Sequence, residues 1–132
     1  MTKGSFNAKI SAEFTPPKTW RLVKQLSFKT HLLTRDDIKI LKEIGVNIAD
    51  TGRITCKVGM RTDLASVPRA VWGIISPWDV ARAAVIHDHL YASLRSYYHS
   101  DGMNKDTWRK ARKLSDKVFL WGMQSAQPFV KK

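Results

Sequence analysis

The sequence is poor in cysteine, in long apolar runs and in acidic residues, and each shortage excludes a class of protein. Its single cysteine, Cys56, allows no internal disulfide and no zinc finger, so we expect a reducing compartment. No apolar run approaches the roughly eighteen residues of a membrane-spanning helix, so none is expected. Residues 1–7 lack the apolar core of a signal peptide, and none is expected.

The shortage of acidic residues gives the chain a large positive charge. It has 23 lysines and arginines against 11 aspartates and glutamates, a net charge of +12. Such a balance favours an anionic partner, which leaves a phospholipid surface, a nucleic acid and an acidic protein open. A solvated helix face that keeps the protein soluble explains the charge equally well. The densest cluster is Arg109, Lys110, Arg112, Lys113 and Lys117.

Length and patterning predict one α+β domain over residues 1–132. We expect a small antiparallel β-sheet in the N-terminal half, followed by two packed antiparallel helices. Ile54, Cys56 and Val58 alternate in the clearest strand, and Thr34 is placed to cap a short helix that ends before Gly45. The predicted segments are an N-terminal arm or edge (1–18), strands (19–60) with an inserted helix at 36–45, a site loop (61–75), the helix pair (76–126) and a tail (127–132).

The two long helices have clear sequence signals. Ser76, Pro77 and Asp79 form a capping-box pattern that opens the first helix. The second is expected to start near Asn104 or Asp106 and to run to about Ser125. Small alanines on the first helix allow the second to approach closely. The expected faces are Val80, Ala83, Ala84, His87 and Tyr91 on the first helix, and Trp108, Ala111, Ser115, Phe119, Gly122 and Met123 on the second.

A candidate site is centred on the first long helix, where a base, an acid and a phenol fall within about one turn. These are His87, Asp88 and Tyr91, and Asp63 and Asp116 are the acids we expect to converge on them. His89 should point away from His87, toward solvent.

Each of these residues also has a purely structural interpretation. Asp63 or Thr62 would cap a turn, and Asp116 would pair with Arg112 one helical turn before it. His87 would be a hydrogen-bonded core residue. The residue pattern by itself leaves both interpretations open.

Two motifs together resemble an uncharacterised family of bacteriophage and prophage proteins, domain of unknown function 1353. They are Gly59-Met-Arg-Thr-Asp-Leu-Ala-Ser-Val-Pro-Arg69 and Ala83-Ala-Val-Ile-His-Asp-His-Leu-Tyr91. The resemblance covers about residues 50–125. It implies a phage origin, a location in the host cytoplasm or the virion, and other virion proteins as partners. It implies no activity.

A second resemblance carries chemistry. His87-Asp-His-Leu-Tyr91 fits the HDxxY signature of phospholipase A2, and residues 112–123 are similar to the third-helix pattern of its bacterial members. The resemblance implies that His87 takes a proton from water, that Asp116 orients His87, and that Tyr91 supports Asp116. It further implies that Asp88 binds calcium, with Asp63 and the Leu64 carbonyl completing the shell. The disulfides and glycine-rich calcium loop of those enzymes are absent.

Two functional hypotheses follow. In the first, the protein is a calcium-dependent ester hydrolase: a neutral imidazole held by a carboxylate deprotonates water, and calcium polarises the ester carbonyl. In the second, it is a non-enzymatic virion or tail component, or a protein that binds a host protein or nucleic acid. The histidine–aspartate cluster would then be a buried structural network.

Overall fold

Two three-stranded antiparallel sheets precede a pair of long helices in the computed structural model, which describes residues 3–7, 12–15, 19–62 and 77–126. The predicted α+β class is confirmed, although the strands form two sheets, where one was expected. In chain order the elements are β1 (Ser5–Phe6), β2 (Ala12–Thr15), β3 (Thr19–Leu22), β4 (Leu26–Lys29), α1 (Arg35–Glu43), β5 (Arg53–Cys56), β6 (Arg61–Thr62), α2 (Pro77–Tyr98) and α3 (Lys105–Ala126).

The first sheet has the strand order β1-β4-β5 and the second has β2-β3-β6, so β1 and β2 are edge strands. These two strands lie in the segment 1–18 that was expected to be an arm or edge. Among the described helices, none is long and apolar enough to cross a membrane.

The first sheet contributes buried side chains to one side of the core. Phe28 pairs with Ile54, and Leu26 with Cys56, and all four side chains are almost completely buried. The burial of Cys56 has a chemical consequence. Loss of solvent, with the nearby charge of Asp88, raises the pKa of the Cys56 thiol to about 12, so it stays protonated at neutral pH.

Helix α1 is capped as the sequence predicts. The Thr34 hydroxyl accepts the Asp37 N–H at 3.1 Å, and the Asp37 carboxylate accepts the Thr34 N–H at 3.0 Å. The chain then turns at Gly45, whose φ of 94° suits glycine. Ile38 and Leu41 face the core.

Helices α2 and α3 run antiparallel, because the contacts between them advance along one helix as they retreat along the other. Ala83 lies against Gly122, and eleven residues later Leu94 lies against Trp108. The Asn104 side-chain oxygen caps α3 by accepting the N–H groups of Asp106 and Thr107. The predicted start of the second helix is therefore confirmed.

The close approach of the two helices depends on Gly122. A Cβ atom there would lie 3.1 Å from the Ala83 Cβ and 3.4 Å from the Phe6 ring. Packed interiors leave little space for such an addition, so a larger side chain would push α2, α3 and β1 apart.

We predict that Gly122→Val destabilises the protein by about 1–3 kcal/mol through overpacking at this contact. The measurement is the free energy of unfolding in urea, followed by circular dichroism. Gln124→Val, at an exposed position of the same helix, is the control for placing a β-branched residue there. Equal stability of the two variants would contradict a tight contact at Gly122.

Candidate functional site

The candidate site is built by the middle turns of the helix pair. Helix α2 supplies His87 and Tyr91, which lie four residues apart and therefore share a face. Helix α3 supplies Asp116 and Phe119 across the seam. The antiparallel packing brings these residues together although Asp116 follows His87 by 29 positions in the chain.

Asp116 binds two of the residues that the sequence singled out. His87 Nε2 lies 3.1 Å from Asp116 Oδ1, and the Tyr91 hydroxyl donates to the same oxygen at 2.8 Å. When the carboxylate is ionised, it holds the proton of the neutral imidazole on Nε2 and leaves the lone pair on Nδ1. The arrangement is that of a base oriented by an acid.

The His87 ring is also held by its neighbours. It stacks on Phe119, with centroids 4.6 Å apart and planes 23° apart, and it lies against the Tyr91 ring at 4.3 Å. Two aromatic contacts and one hydrogen bond together restrict its rotation. A base that is held in one orientation needs less reorganisation before it reacts.

Tyr91 remains a protonated donor over the ordinary pH range. Its partial burial raises the pKa of the phenol, and its hydrogen bond to Asp116 adds to this effect. The nearby Arg112 guanidinium acts in the opposite direction and lowers the pKa of the phenol. Arg112 was expected to pair with Asp116. Among the described residues, the partners of Asp116 are instead His87 and Tyr91, and Arg112 lies near Tyr91 without an ion pair to Asp116.

The cluster is open to solvent. The Asp116 side chain is 55% exposed and that of His87 is 22% exposed. The structural hypothesis places these residues in a buried polar network, and His87 was also interpreted as a possible core residue. The exposure of both side chains is contrary to that burial, and water can reach the pair.

Asp88, the neighbour of His87 in the chain, contacts the second sheet. The hydroxyl of Thr62, a buried residue at the end of β6, donates to the Asp88 carboxylate. This contact joins the strand end to the helix one position from His87. Asp63 and Leu64, the other expected metal ligands, come next in the chain and lie outside the described residues.

The oxygen atoms at Asp88 and Thr62 are of the type that binds calcium, but they are too few to complete its shell. Asp88 offers a carboxylate and Thr62 a hydroxyl, both hard oxygen donors, whereas calcium takes six to eight oxygens. Over the described ranges, no group of three or more His, Cys, Asp or Glu side chains is placed to hold a metal ion. A complete shell would need further oxygens, and the expected ones, from Asp63 and the Leu64 carbonyl, lie outside the described ranges.

The expectation that His89 faces solvent is wrong. Its Nε2 accepts the backbone N–H of Asn47 at 3.2 Å, and its partial burial lowers the pKa of the imidazole. His89 therefore ties α2 to the turn after α1. The error arose because helical periodicity places His89 opposite His87, but the sheet side of α2 is also covered by protein.

Sequence reasoning assigned no site role to two residues that contact candidate site residues. Thr62 was considered only as a turn cap, and Arg112 only as an ion-pair partner. The i, i+4 spacing of Arg112 and Asp116 indicated that Arg112 lies near the site, although not which residue it contacts. Nothing near Thr62 in the sequence indicates its contact with Asp88, since 26 residues separate them.

The family model described as "Protein of unknown function (DUF1353)" matches residues 38–131. This range contains α1 from Ile38 onward, β5, β6 and the whole described helix pair, so it includes every residue of the candidate site. No curated protein and no solved structure matches the chain.

We predict that stability falls as pH is lowered below about 6.5, the ordinary pKa of histidine, because of His89. Its folded-state pKa is lowered, so the unfolded chain binds a proton first as the pH falls. The stability that His89 contributes is fully present above its pKa in the unfolded chain, and it is lost as the pH falls toward its folded-state pKa. His89→Gln keeps an acceptor without a titrating ring and should flatten the dependence. The measurement is the free energy of unfolding in urea between pH 5 and 8, for the wild type and for His89→Gln. An unchanged pH dependence in His89→Gln would contradict this assignment.

Proposed function

This chain belongs to the DUF1353 family, proteins of unknown function, and we propose that it is an ester hydrolase with a phospholipase A2-like site. The observation that carries the proposal is the shared oxygen of Asp116, which accepts from His87 at 3.1 Å and from Tyr91 at 2.8 Å. These are the residues to which the resemblance assigns the base, its orienting acid and the supporting phenol. Their partial exposure supports a reactive site.

In the proposed reaction, His87 Nδ1 removes a proton from water as the water oxygen bonds to the ester carbonyl carbon. Asp116 stabilises the imidazolium that forms, and Tyr91 holds Asp116 in place. The ester C–O bond then breaks, and Nδ1 returns its proton to the leaving alkoxide. The products are a carboxylic acid and an alcohol.

Calcium is the proposed cofactor, held by Asp88 together with Asp63 and the Leu64 carbonyl. When bound, it would supply electrophilic stabilisation of the developing oxyanion. The hydrogen bond from Thr62 supports this placement, because it orients the Asp88 carboxylate beside the point where Asp63 follows in the chain.

The proposed substrate surface is an anionic phospholipid interface, favoured by the net charge of +12. A bacteriophage or prophage origin, and action in the host cytoplasm or in the virion, belong to the same proposal. They are supported by the motifs at residues 59–69 and 83–91. The competing possibility is a virion or interaction protein without activity, and the experiments below separate the two.

We predict that His87→Asn lowers kcat for ester hydrolysis by about 10²–10⁴-fold, the usual contribution of a general base. Asp116→Asn should also lower kcat strongly, and Tyr91→Phe should lower it less. Release of fatty acid from phosphatidylglycerol vesicles with calcium is the measurement. His31→Asn removes an exposed histidine outside the site and is the matched control.

Circular dichroism and thermal unfolding of the same variants test the non-enzymatic alternative. Wild-type turnover that is lost in His87→Asn, with an unchanged melting temperature, supports the hydrolase. Equal turnover in His87→Asn and wild type would exclude His87 as the base. Absence of wild-type hydrolysis across phospholipid and simple aryl esters, with destabilised variants, would favour a structural network.

We predict saturable calcium binding by calorimetry, weakened at least tenfold in Asp88→Asn, because one carboxylate ligand is lost. Asp101→Asn removes the same charge from the exposed connection between α2 and α3 and should bind like wild type. No heat of binding at millimolar calcium would overturn the calcium assignment and leave the His87–Asp116 pair to be tested alone.

A further inference from the structure

A groove of about 430 Å³ lies beside the candidate site, toward the connection between α2 and α3. It is open along one side and shares Tyr91 with the Asp116 cluster. Four aromatic rings and two guanidinium groups line it, with Leu94 at its base. They belong to Tyr91, Tyr98, His99, Trp108, Arg95 and Arg112.

The aromatic residues of this groove are held in a fixed arrangement. The Trp108 indole N–H donates to the Leu94 carbonyl at 3.1 Å, which anchors the ring. The Tyr98 ring meets Trp108 edge-on at 5.5 Å and His99 at 5.3 Å. Tyr98 is 48% exposed, so its ring is accessible at the groove.

The charge of the groove is of one sign. No carboxylate lines it, and within the described ranges neither Arg95 nor Arg112 forms an ion pair. The Arg112 guanidinium lies 5.8 Å from the Trp108 ring centroid, so a cation and an aromatic face are presented together. Lys105 and Arg109 are exposed on the same turns of α3.

We infer that this groove binds a nucleotide unit of a single-stranded nucleic acid, with a base against the aromatic rings and its phosphates at Arg95 and Arg112. Sequence-tolerant sites of this kind combine stacking platforms with a cationic track. Among the described lining residues the apolar surface is mostly aromatic, with Leu94 as the aliphatic side chain, and flat rings of this kind are surfaces on which a base stacks. The site goes beyond the proposed hydrolysis and does not depend on it.

The test is fluorescence anisotropy of a labelled single-stranded dT oligonucleotide with the full chain. We expect wild-type binding that weakens as salt is raised, because phosphate contacts release counterions. Tyr98→Ala should raise Kd at least fivefold through lost stacking, whereas Tyr98→Phe, which keeps the ring, should bind like wild type. Arg95→Gln should raise Kd more than Lys39→Gln, which removes the same charge from an exposed position of α1.

Three outcomes would overturn the inference. The first is no saturable binding of the oligonucleotide by the wild type. The second is equal binding by Tyr98→Ala and Tyr98→Phe, which would exclude stacking on this ring, or equal losses of affinity in Arg95→Gln and Lys39→Gln, which would mean that only net charge matters. The third is preference for anionic vesicles over the oligonucleotide with the same dependence on Tyr98, which would make the groove a lipid site. Circular dichroism of each variant ensures that only folded protein is compared.

Discussion

The close contact between α2 and α3 at Ala83 and Gly122 is the constraint on which the rest of the structure depends. It sets the separation of the helices, and one turn further along that separation is what allows His87 to reach Asp116. A wider seam would leave the carboxylate beyond hydrogen-bonding distance of the imidazole. The same contact includes Phe6, so the edge strand β1 is fixed by the helix pair as well.

The core is continuous enough to hold this arrangement without any disulfide. Phe28, Ile54 and Leu41 are fully buried beneath the helices, as are Val85 and Leu90 from α2. Two polar contacts then set α2 against the sheets: Thr62 binds Asp88, and His89 accepts the N–H of Asn47. Consecutive residues 87, 88 and 89 thus contact α3, the end of β6 and the turn after α1. These contacts fix both the rotation of α2 about its axis and its position along that axis.

The Asp116 cluster and the aromatic groove are neighbours because they occupy successive turns of the same seam. Tyr91 belongs to both, and Arg112 contacts both Tyr91 and the indole of Trp108. A ligand in the groove would therefore approach the hydrogen bond that positions Asp116. If both proposals hold, occupancy of the groove and the orientation of His87 are physically coupled through Tyr91.

Local chemistry in the sequence determined α1, β5, the helix pair and the identity of the main cluster, whereas β1 and β2 lie in the segment that was expected to be an arm or edge. The Thr34 and Asn104 caps, the alternation through Cys56 and the i, i+4 pair His87 and Tyr91 depend on neighbours in the chain, so patterning was sufficient to predict them. The pairing of Asp116 with His87 was expected from helix packing and from resemblance. Only the tertiary structure decided the partition into two sheets, the burial of His89, the contact of Thr62 with Asp88 and the position of Arg112 against Tyr91. Each of these joins segments distant in sequence or depends on which protein surface covers a helix face, and periodicity within one helix carries no information about that surface.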